Sequence, residues 1–297
     1  MLEEFKNAFS RPNNSHMQLI IINIIVFIVL AVLMVFSKWF GFDAFFLSVH
    51  NQFSLPSGFG EFLTRPWTLI TYFFNHNLSG LLHILFNMLA LYWFGKLLVE
   101  YLGSDKLIAV YVLGGIAGGV LYLMVYNLIP NPPAFLAGRA ELVGASAGVF
   151  AIMVAAAALL PDYTFSLLFF GPVKIKWIVA IYIFLSIIGS VGQNAGGEIA
   201  HLGGALIGFV YVKQLQVGVN WGAWITATLH WISGLFTARP KVKVSYRKDN
   251  AAPRTKATAG SGISQQEIDA ILDKISDGGY ESLTKEEREK LFKASKK

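Results

Sequence analysis

The amino-acid sequence predicts an all-α polytopic membrane protein, a bundle of six transmembrane helices followed by a small soluble helical hairpin. Composition is the first reason. Of 297 residues, 55% are hydrophobic and only 14% charged, with a mean hydropathy of +0.54, whereas a soluble domain carries about 25% charged residues. That deficit excludes an ordinary soluble enzyme and a disordered chain. The second reason is where the charges fall. Met1 to Thr237 holds 10 Lys/Arg against 9 Asp/Glu, and Ala238 to Lys297 holds 14 against 9, so the net +6 divides into +1 and +5. A nearly neutral apolar body precedes a basic, polar tail. The third reason is a series of six apolar runs near the roughly 20 residues that a bilayer core demands.

The expected spans are Met17 to Phe36, Leu81 to Leu98, Leu107 to Leu128, Leu142 to Leu160, Trp177 to Val191 and Ile199 to Leu215. The last two are short, and Gly192, Gly196 and Gly197 lie between them. The start of the chain (Glu3, Glu4, Lys6, Arg11) has the pattern of neither a transit peptide nor a cleavable signal, so the first run is expected to be retained. An even number of spans puts both termini on one side, and basic residues decide which. Lys6, Arg11, Lys96, Lys106, Lys174, Lys176 and Lys213 gather with the tail, whereas Lys38, Arg65 and Arg139 lie at the other ends. Both termini are expected in the cytoplasm.

Residues 1–16 then form a cytoplasmic N-terminus, 17–218 the membrane domain, 219–244 an interfacial helix with a basic segment, 245–262 a linker and 263–297 the hairpin. The connection from Ser37 to Ser79 is long and aromatic, and is expected to lie partly in the outer interface. Trp221 to Phe236 is too short to span and is followed by Arg239, Lys241 and Lys243; it reads as a helix under the cytoplasmic leaflet. In the tail, Ser264 with Glu267 and Thr284 with Glu287 have capping-box spacing, and Ile263 with Ile268 that of a hydrophobic staple. A hairpin with so little core is expected to dock on an unidentified cytoplasmic partner.

Strongly polar side chains inside spans are costly, so each is a functional candidate. Four stand out: His83, Asn87, Ser146 and His201. Ser146 is the centre of Gly144-Ala-Ser-Ala-Gly148, a G-x-S-x-G pattern. In soluble hydrolases that pattern joins a strand to a helix, yet no parallel-sheet pattern exists here. Gly144 and Gly148 also make a G-x-x-x-G packing face, with Ser146 as a bystander. His201 shares a face with Gly204, Ala205 and Gly208, and the fourth span has a matching small face, so a Ser–His hydrogen bond is expected; an interfacial histidine bonded to a carbonyl is the alternative. His83 and Asn87, four apart, point the same way and suit an oxyanion hole or an interhelical polar contact. All four at one depth make an acyl-transfer set. No acidic residue is expected to complete a triad. Glu198, three before His201, is accounted for by its helix N-terminus, and His201 is expected to be oriented by packing against Phe150.

His83-x-x-x-Asn87, the G-x-S-x-G and Ala200-His201-x-Gly-Gly, on the second, fourth and sixth spans, resemble the rhomboid intramembrane serine proteases over about Asn75 to Val212. The resemblance implies hydrolysis of peptide bonds in or near transmembrane segments. It implies Ser146 as nucleophile, His201 as general base, and His83, Asn87 and the Ser146 backbone N–H as the oxyanion hole. Gly144 and Phe150 would support these residues. His76 resembles the family's loop histidine, and Glu100 its glutamate at the inner end of the second span. The family's Trp-Arg pair is altered, since Trp67 is followed by Thr68 and the nearest arginine is Arg65. The tail resembles an accessory domain of some bacterial members.

Substrates would be transmembrane proteins, which must unwind locally to expose a scissile carbonyl. Nucleic acid is not an expected partner, and neither metal nor cofactor is expected: cysteine is absent, as is any H-E-x-x-H motif. Gly189 to Gly197 would be a movable cap over a water-filled cavity. Two other classes fit some of the features. A catalytically inactive rhomboid-like chaperone or binding module would share the fold, though it should lack the serine or histidine; a small transporter would show repeated halves.

Overall fold

The computed structural model describes residues 2–9, 13–78, 80–130, 133–134, 136, 141–167, 170–236 and 265–295. The chain divides into two units, residues 1–239 and 240–297. In the first, a short helix α1 (Leu2–Lys6) precedes α2 (Ser15–Phe40). Glu4 on α1 meets Lys96 at 2.7 Å and accepts from Tyr92 Oη at 3.1 Å. The Lys96 hydrogen bond pulls its carboxyl down to about 2. Only one stripe of α2 is buried, including Leu19, Ile20, Asn23 and Leu30. Ile25, Ile28, Val29 and Val32 are exposed on its other faces, as a lipid-facing helix requires.

The first connection folds into α3 (Asp43–Asn51), β1 (Leu55–Pro56), α4 (Phe59–Thr64), α5 (Thr68–Thr71) and a 3₁₀ turn at Tyr72–Phe74. Arg65 Nη1 donates to the Asn51 carbonyl at 2.5 Å, so an arginine still ties this loop together. The bundle continues with α6 (Leu81–Leu102), α7 (Ser104–Leu128), α8 (Ser146–Leu159), α9 (Ile175–Gly189) and α10 (Ala195–Gln216). β2 (Glu141–Leu142) pairs antiparallel with β1, Leu55 opposite Leu142. β3 (Thr164–Leu167) and β4 (Gly171–Lys174) form a hairpin between α8 and α9. Beside it Asp162 bonds Lys174 and Lys176 at 2.9 Å each, and its carboxyl is held down at about 2 by Lys176 and Lys174.

Among the described residues four helices, α2, α6, α7 and α10, are long and apolar enough to cross a membrane. The other two expected spans are shorter. α8 has 14 residues and α9 has 15, or about 21 and 22 Å at 1.5 Å per residue. α8 starts four residues later than its apolar run because Gly144 has φ +126, outside any helix. Its short length is compatible with a bilayer because every residue from Ala147 to Ala156 is buried in protein.

The core lies where α7, α8 and α10 pack together. Glycines permit it. Cβ atoms on Gly204 and Gly208 of α10 would run into the Ala147 and Ala151 carbonyls, and one on Gly148 would stand 2.8 Å from the Tyr111 carbonyl of α7. These are the close backbone approaches that small residues allow between membrane helices. Beyond α10, α11 (Ala223–Phe236) is anchored through buried Ile225, Gly222 against Ala109, and Asn220 accepting from Tyr211 Oη at 3.0 Å. Trp224, Trp231 and Leu235 remain exposed on it. The basic cluster Arg239, Lys241 and Lys243 lies outside the described residues.

The second unit contains α12 (Gln265–Gly278), a 3₁₀ turn at Tyr280–Ser282 and α13 (Lys285–Ser295). Gly279, at φ +73, makes the break between them. Glu287 Oε2 accepts from the Thr284 backbone N–H at 2.7 Å, and Glu287 N–H donates back to Thr284 Oγ1 at 3.3 Å. The 245–262 linker, Ile263 and Ser264 lie outside the described residues.

Candidate active site

The segment before α8 is fixed from two sides. Pairing of β1 with β2 brings the first connection beside it, and the Gly144 N–H donates to the Tyr72 carbonyl at 3.1 Å. Tyr72 is itself anchored, its hydroxyl donating to the Gly115 carbonyl at 2.6 Å. Gly144 then turns the chain at φ +126, conformationally open to glycine alone at low cost. A Cβ there would stand 2.9 Å from His83 Cε1 and 3.5 Å from both His83 Nε2 and Ser146 Oγ. The first glycine of the motif therefore makes room for a serine and an imidazole to share one point. The second, Gly148, serves packing against α7. The two glycines of the motif thus do different work, Gly144 beside Ser146 and His83 and Gly148 in the contact with α7.

Ser146 is the first residue of α8 and half-buried. It lines a polar cavity of about 300 Å³ with Asn77, His83, Tyr122, Tyr126, Glu141, Gln193 and Asn194. His83 stands near the start of α6, its ring 5.8 Å from that of fully buried His76. Asn87, one turn along, is 7% exposed and donates from Nδ2 to the His83 carbonyl at 2.8 Å. One of its two amide hydrogens is spent on its own helix, and the other has no protein partner among the described residues. Glu100 lies 17 residues beyond His83 on α6, about 25 Å along the axis, at the opposite end from this cavity. It lines a separate hollow with Glu4, His16 and Lys96.

His201 sits two turns into α10, its ring stacked on Phe150 with centroids 4.2 Å apart and planes at 11°. Two groups meet its Nδ1: Glu198 Oε2 at 3.0 Å and Ser186 Oγ of α9 at 3.1 Å. This corrects the expectation that Glu198 serves only a helix terminus and that packing alone orients His201. The i, i+3 spacing on one helical face brings the carboxylate to the ring. The expected Ser146–His201 hydrogen bond differs too. Neither Ser146 Oγ nor His201 Nε2 has a partner within 3.5 Å among the described residues. Their helices nonetheless meet: a Cβ on Gly118 of α7 would be 2.6 Å from Ala147 Cβ and 2.7 Å from the Ala200 carbonyl, the immediate neighbours of Ser146 and His201. Catalytic hydrogen bonds in unliganded sites are often long and tighten with substrate.

A profile of the rhomboid domain matches residues 63–216. The chain belongs to the rhomboid family. It is 33% identical over 193 residues to the Arabidopsis thaliana protein named RHOMBOID-like protein 12, mitochondrial, a match covering 62% of this chain and 54% of the relative. The chain thus spans about half the length of that curated relative. Residues 262–297 match a separate family of unknown function, DUF6576. Within the rhomboid domain, sequence reasoning missed Ser186, Tyr122, Tyr126, Gln193 and Asn194. Ser186 carried a signal, being the one serine of α9, set in an otherwise apolar stretch beyond Lys176 and Tyr182. The cavity tyrosines carried none, because tyrosine is common in apolar helices.

Proposed function

We propose that this rhomboid-family protein is an intramembrane serine endopeptidase acting on transmembrane protein substrates. The observation that carries this reading is that Ser146 and His83 meet at the Gly144 turn beside a polar cavity, while α8 and α10 pack at backbone distance next to Ser146 and the stacked imidazole of His201. Ser146 Oγ would attack the scissile carbonyl carbon while His201 Nε2 takes its proton. The resulting oxyanion would be met by His83, Asn87 and the Ser146 backbone N–H. Collapse breaks the C–N bond, and His201 returns the proton to the leaving amine. Water, activated by the same imidazole, then releases the acyl group. An apolar groove of about 580 Å³ between α6 and α9, lined by Trp93, Phe94, Met153, Ile178 and Tyr182, suits the approach of a substrate helix from the bilayer.

In the orientation given by the basic residues, both termini are cytoplasmic and the cavity opens outward, in a bacterial inner membrane. The tail is read as an accessory module whose partner is a cytoplasmic protein. The relative's name places that protein, not this one, in mitochondria. One observation favours a second reading, a rhomboid-like binding protein without catalysis: the unmade Ser146–His201 hydrogen bond. Purified wild type and Ser146→Ala, incubated with a panel of single-span reporters and with a fluorophosphonate, separate the two. Cleavage and labelling of wild type at Ser146, both abolished by Ser146→Ala and His201→Ala, are expected. Reporter binding without cleavage or labelling would establish the second reading.

A further inference from the structure

We propose that Glu198 is a positioning residue for His201, a carboxylate that fixes the tautomer and orientation of the imidazole in the Ser146–His201 pair. The inference rests on the proteolytic reading of the same site. A helix N-terminus alone would explain an acidic residue in the first turn of α10, but not the pocket built around it. Glu198 Oε2 lies 3.0 Å from His201 Nδ1, with side-chain exposures of 23% and 12%. Across the helix pair, Gly189 of α9 makes space for the carboxylate, since a Cβ there would come within 2.9 Å of Glu198 Cγ and 3.0 Å of Cδ. Ser186, three residues earlier on α9 and 2% exposed, reaches the same Nδ1 at 3.1 Å. Phe150 covers one face of the ring. A residue serving only a helix dipole needs none of these arrangements.

The chemistry follows from donor and acceptor counting. An ionised carboxylate only accepts hydrogen bonds, so Nδ1 must carry the proton in the neutral ring. Nε2 then holds the lone pair, and it is the ring nitrogen with no partner among the described residues. This is the tautomer a general base for Ser146 requires. When Nε2 takes the serine proton, the imidazolium forms beside a fixed negative charge, which favours it. The groups facing the ring are Glu198 on its own helix, Ser186 on α9, Phe150 on α8 with Tyr182 behind it, and the His83 imidazole of α6. Glu198 is the one acid among them.

The test uses the full chain in proteoliposomes with a single-span reporter, comparing wild type, Glu198→Gln, Glu198→Leu and Ser186→Ala. Glu198→Gln keeps volume and an acceptor but removes the charge. It is expected to lower kcat at least about tenfold with KM unchanged, and to move the acid limb of the kcat–pH profile to lower pH, because the imidazolium loses its anionic partner. Glu198→Leu should cost roughly 10²-fold or more, since the tautomer is then no longer fixed. Ser186→Ala should leave the acid limb in place. Histidine ¹⁵N spectra of the same samples read the pairing without activity: wild-type His201 should be the Nδ1–H tautomer, and its titration should fall to lower pH in Glu198→Gln. A folded Glu198→Gln protein with wild-type kcat, pH profile and His201 titration would overturn the proposal. Should wild type neither cleave reporters nor react with fluorophosphonate, the proteolytic reading fails instead, and the spectra decide the Glu198–His201 pairing by themselves.

Discussion

If Ser146 and His201 react together as proposed, Gly118→Ala is the smallest change expected to separate them without touching either. Gly118 of α7 lies where α8 and α10 meet, and its missing side chain is what lets them meet. A Cβ would stand 2.6 Å from Ala147 Cβ and 2.7 Å from the Ala200 carbonyl oxygen. Relaxed carbon contacts lie near 3.5–4.0 Å, so roughly 1 Å must be found on each side. On the adjoining face of α7, Cβ atoms added at Gly115 and Gly119 would meet Phe73 at 2.5 Å and Leu69 at 2.7 Å, which shows how tightly the first connection is pressed against that helix. The displacement is expected to reach Ala147 and Ala200, and hence Ser146 and His201 beside them. A misplacement of about 1 Å costs on the order of 10²-fold in rate, or about 2.7 kcal/mol in activation free energy. Overpacking costs a further 1–3 kcal/mol or so of stability.

The assay is reporter turnover and fluorophosphonate labelling of Gly118→Ala at a temperature where thermal unfolding shows the protein folded. Gly234→Ala on α11 is the matched control, because nothing lies within 4 Å of a Cβ there; it should be indistinguishable from wild type. Activity of folded Gly118→Ala within about threefold of wild type would refute the argument that this glycine sets the spacing of the reacting helices.

Four further outcomes are expected. Asn87→Ala should lower turnover by at least about tenfold while changing stability by no more than about 1–2 kcal/mol; a folded, fully active variant would make Asn87 a packing residue. Exhaustive EDTA and phenanthroline should leave activity intact, and loss restored by zinc would contradict the serine mechanism. Truncation after Asn250 should retain near wild-type reporter cleavage in vitro, and a folded but inactive truncation would give the tail a part in catalysis. In the tail, the Thr284 backbone N–H, with Lys274, pulls the Glu287 carboxyl down to about 2. A depressed carboxylate stabilises the fold at neutral pH and loses that contribution as pH falls from the usual carboxylate range towards about 2. Protection factors of amides in Lys285–Ser295, corrected for the intrinsic rate at each pH, should hold to about pH 5 and fall below it, and protection unchanged at pH 2 would remove the capping box from the account.

Much of this architecture is written in residue spacing. Apolar runs locate the helices because lipid leaves the backbone no alternative to internal hydrogen bonding. His83 and Asn87 were legible as a pair because four residues make one turn. The G-x-S-x-G pattern located Ser146, but not why its glycines differ: Gly144 answers to backbone conformation and His83, Gly148 to Tyr111 on another helix. Two features escaped for a physical reason. The two-residue strands at Leu55–Pro56 and Glu141–Leu142 are too short for any alternation to register, so the link from the first connection to the serine segment could not be seen. Glu198 was visible at i−3 from His201, yet the same position suits a helix dipole. Only the space left by Gly189 and the hydroxyl of Ser186, both on another helix, distinguishes the two.

The distribution of burial explains how one site can be both fixed and accessible. Ser146 begins the helix whose residues Ala147 to Ala156 are all buried, and the glycines of α7 and α10 lock that helix at backbone distance. Ser146 is therefore held at the start of a helix packed in protein on its sides. α9 is the reverse: Ile181, Tyr182, Phe184, Leu185, Ile187 and Ile188 are all exposed, and Ile175, Val179 and Ser186 are its buried residues. A helix so lightly attached can yield to an incoming segment at little cost in packing. Its Ser186 contact to His201 would go with it. The Glu198 contact would not, because Glu198 and His201 ride on the same helix, three residues apart. Orientation of the imidazole thus depends least on the element most free to move, which is the arrangement a site opened by its own substrate requires.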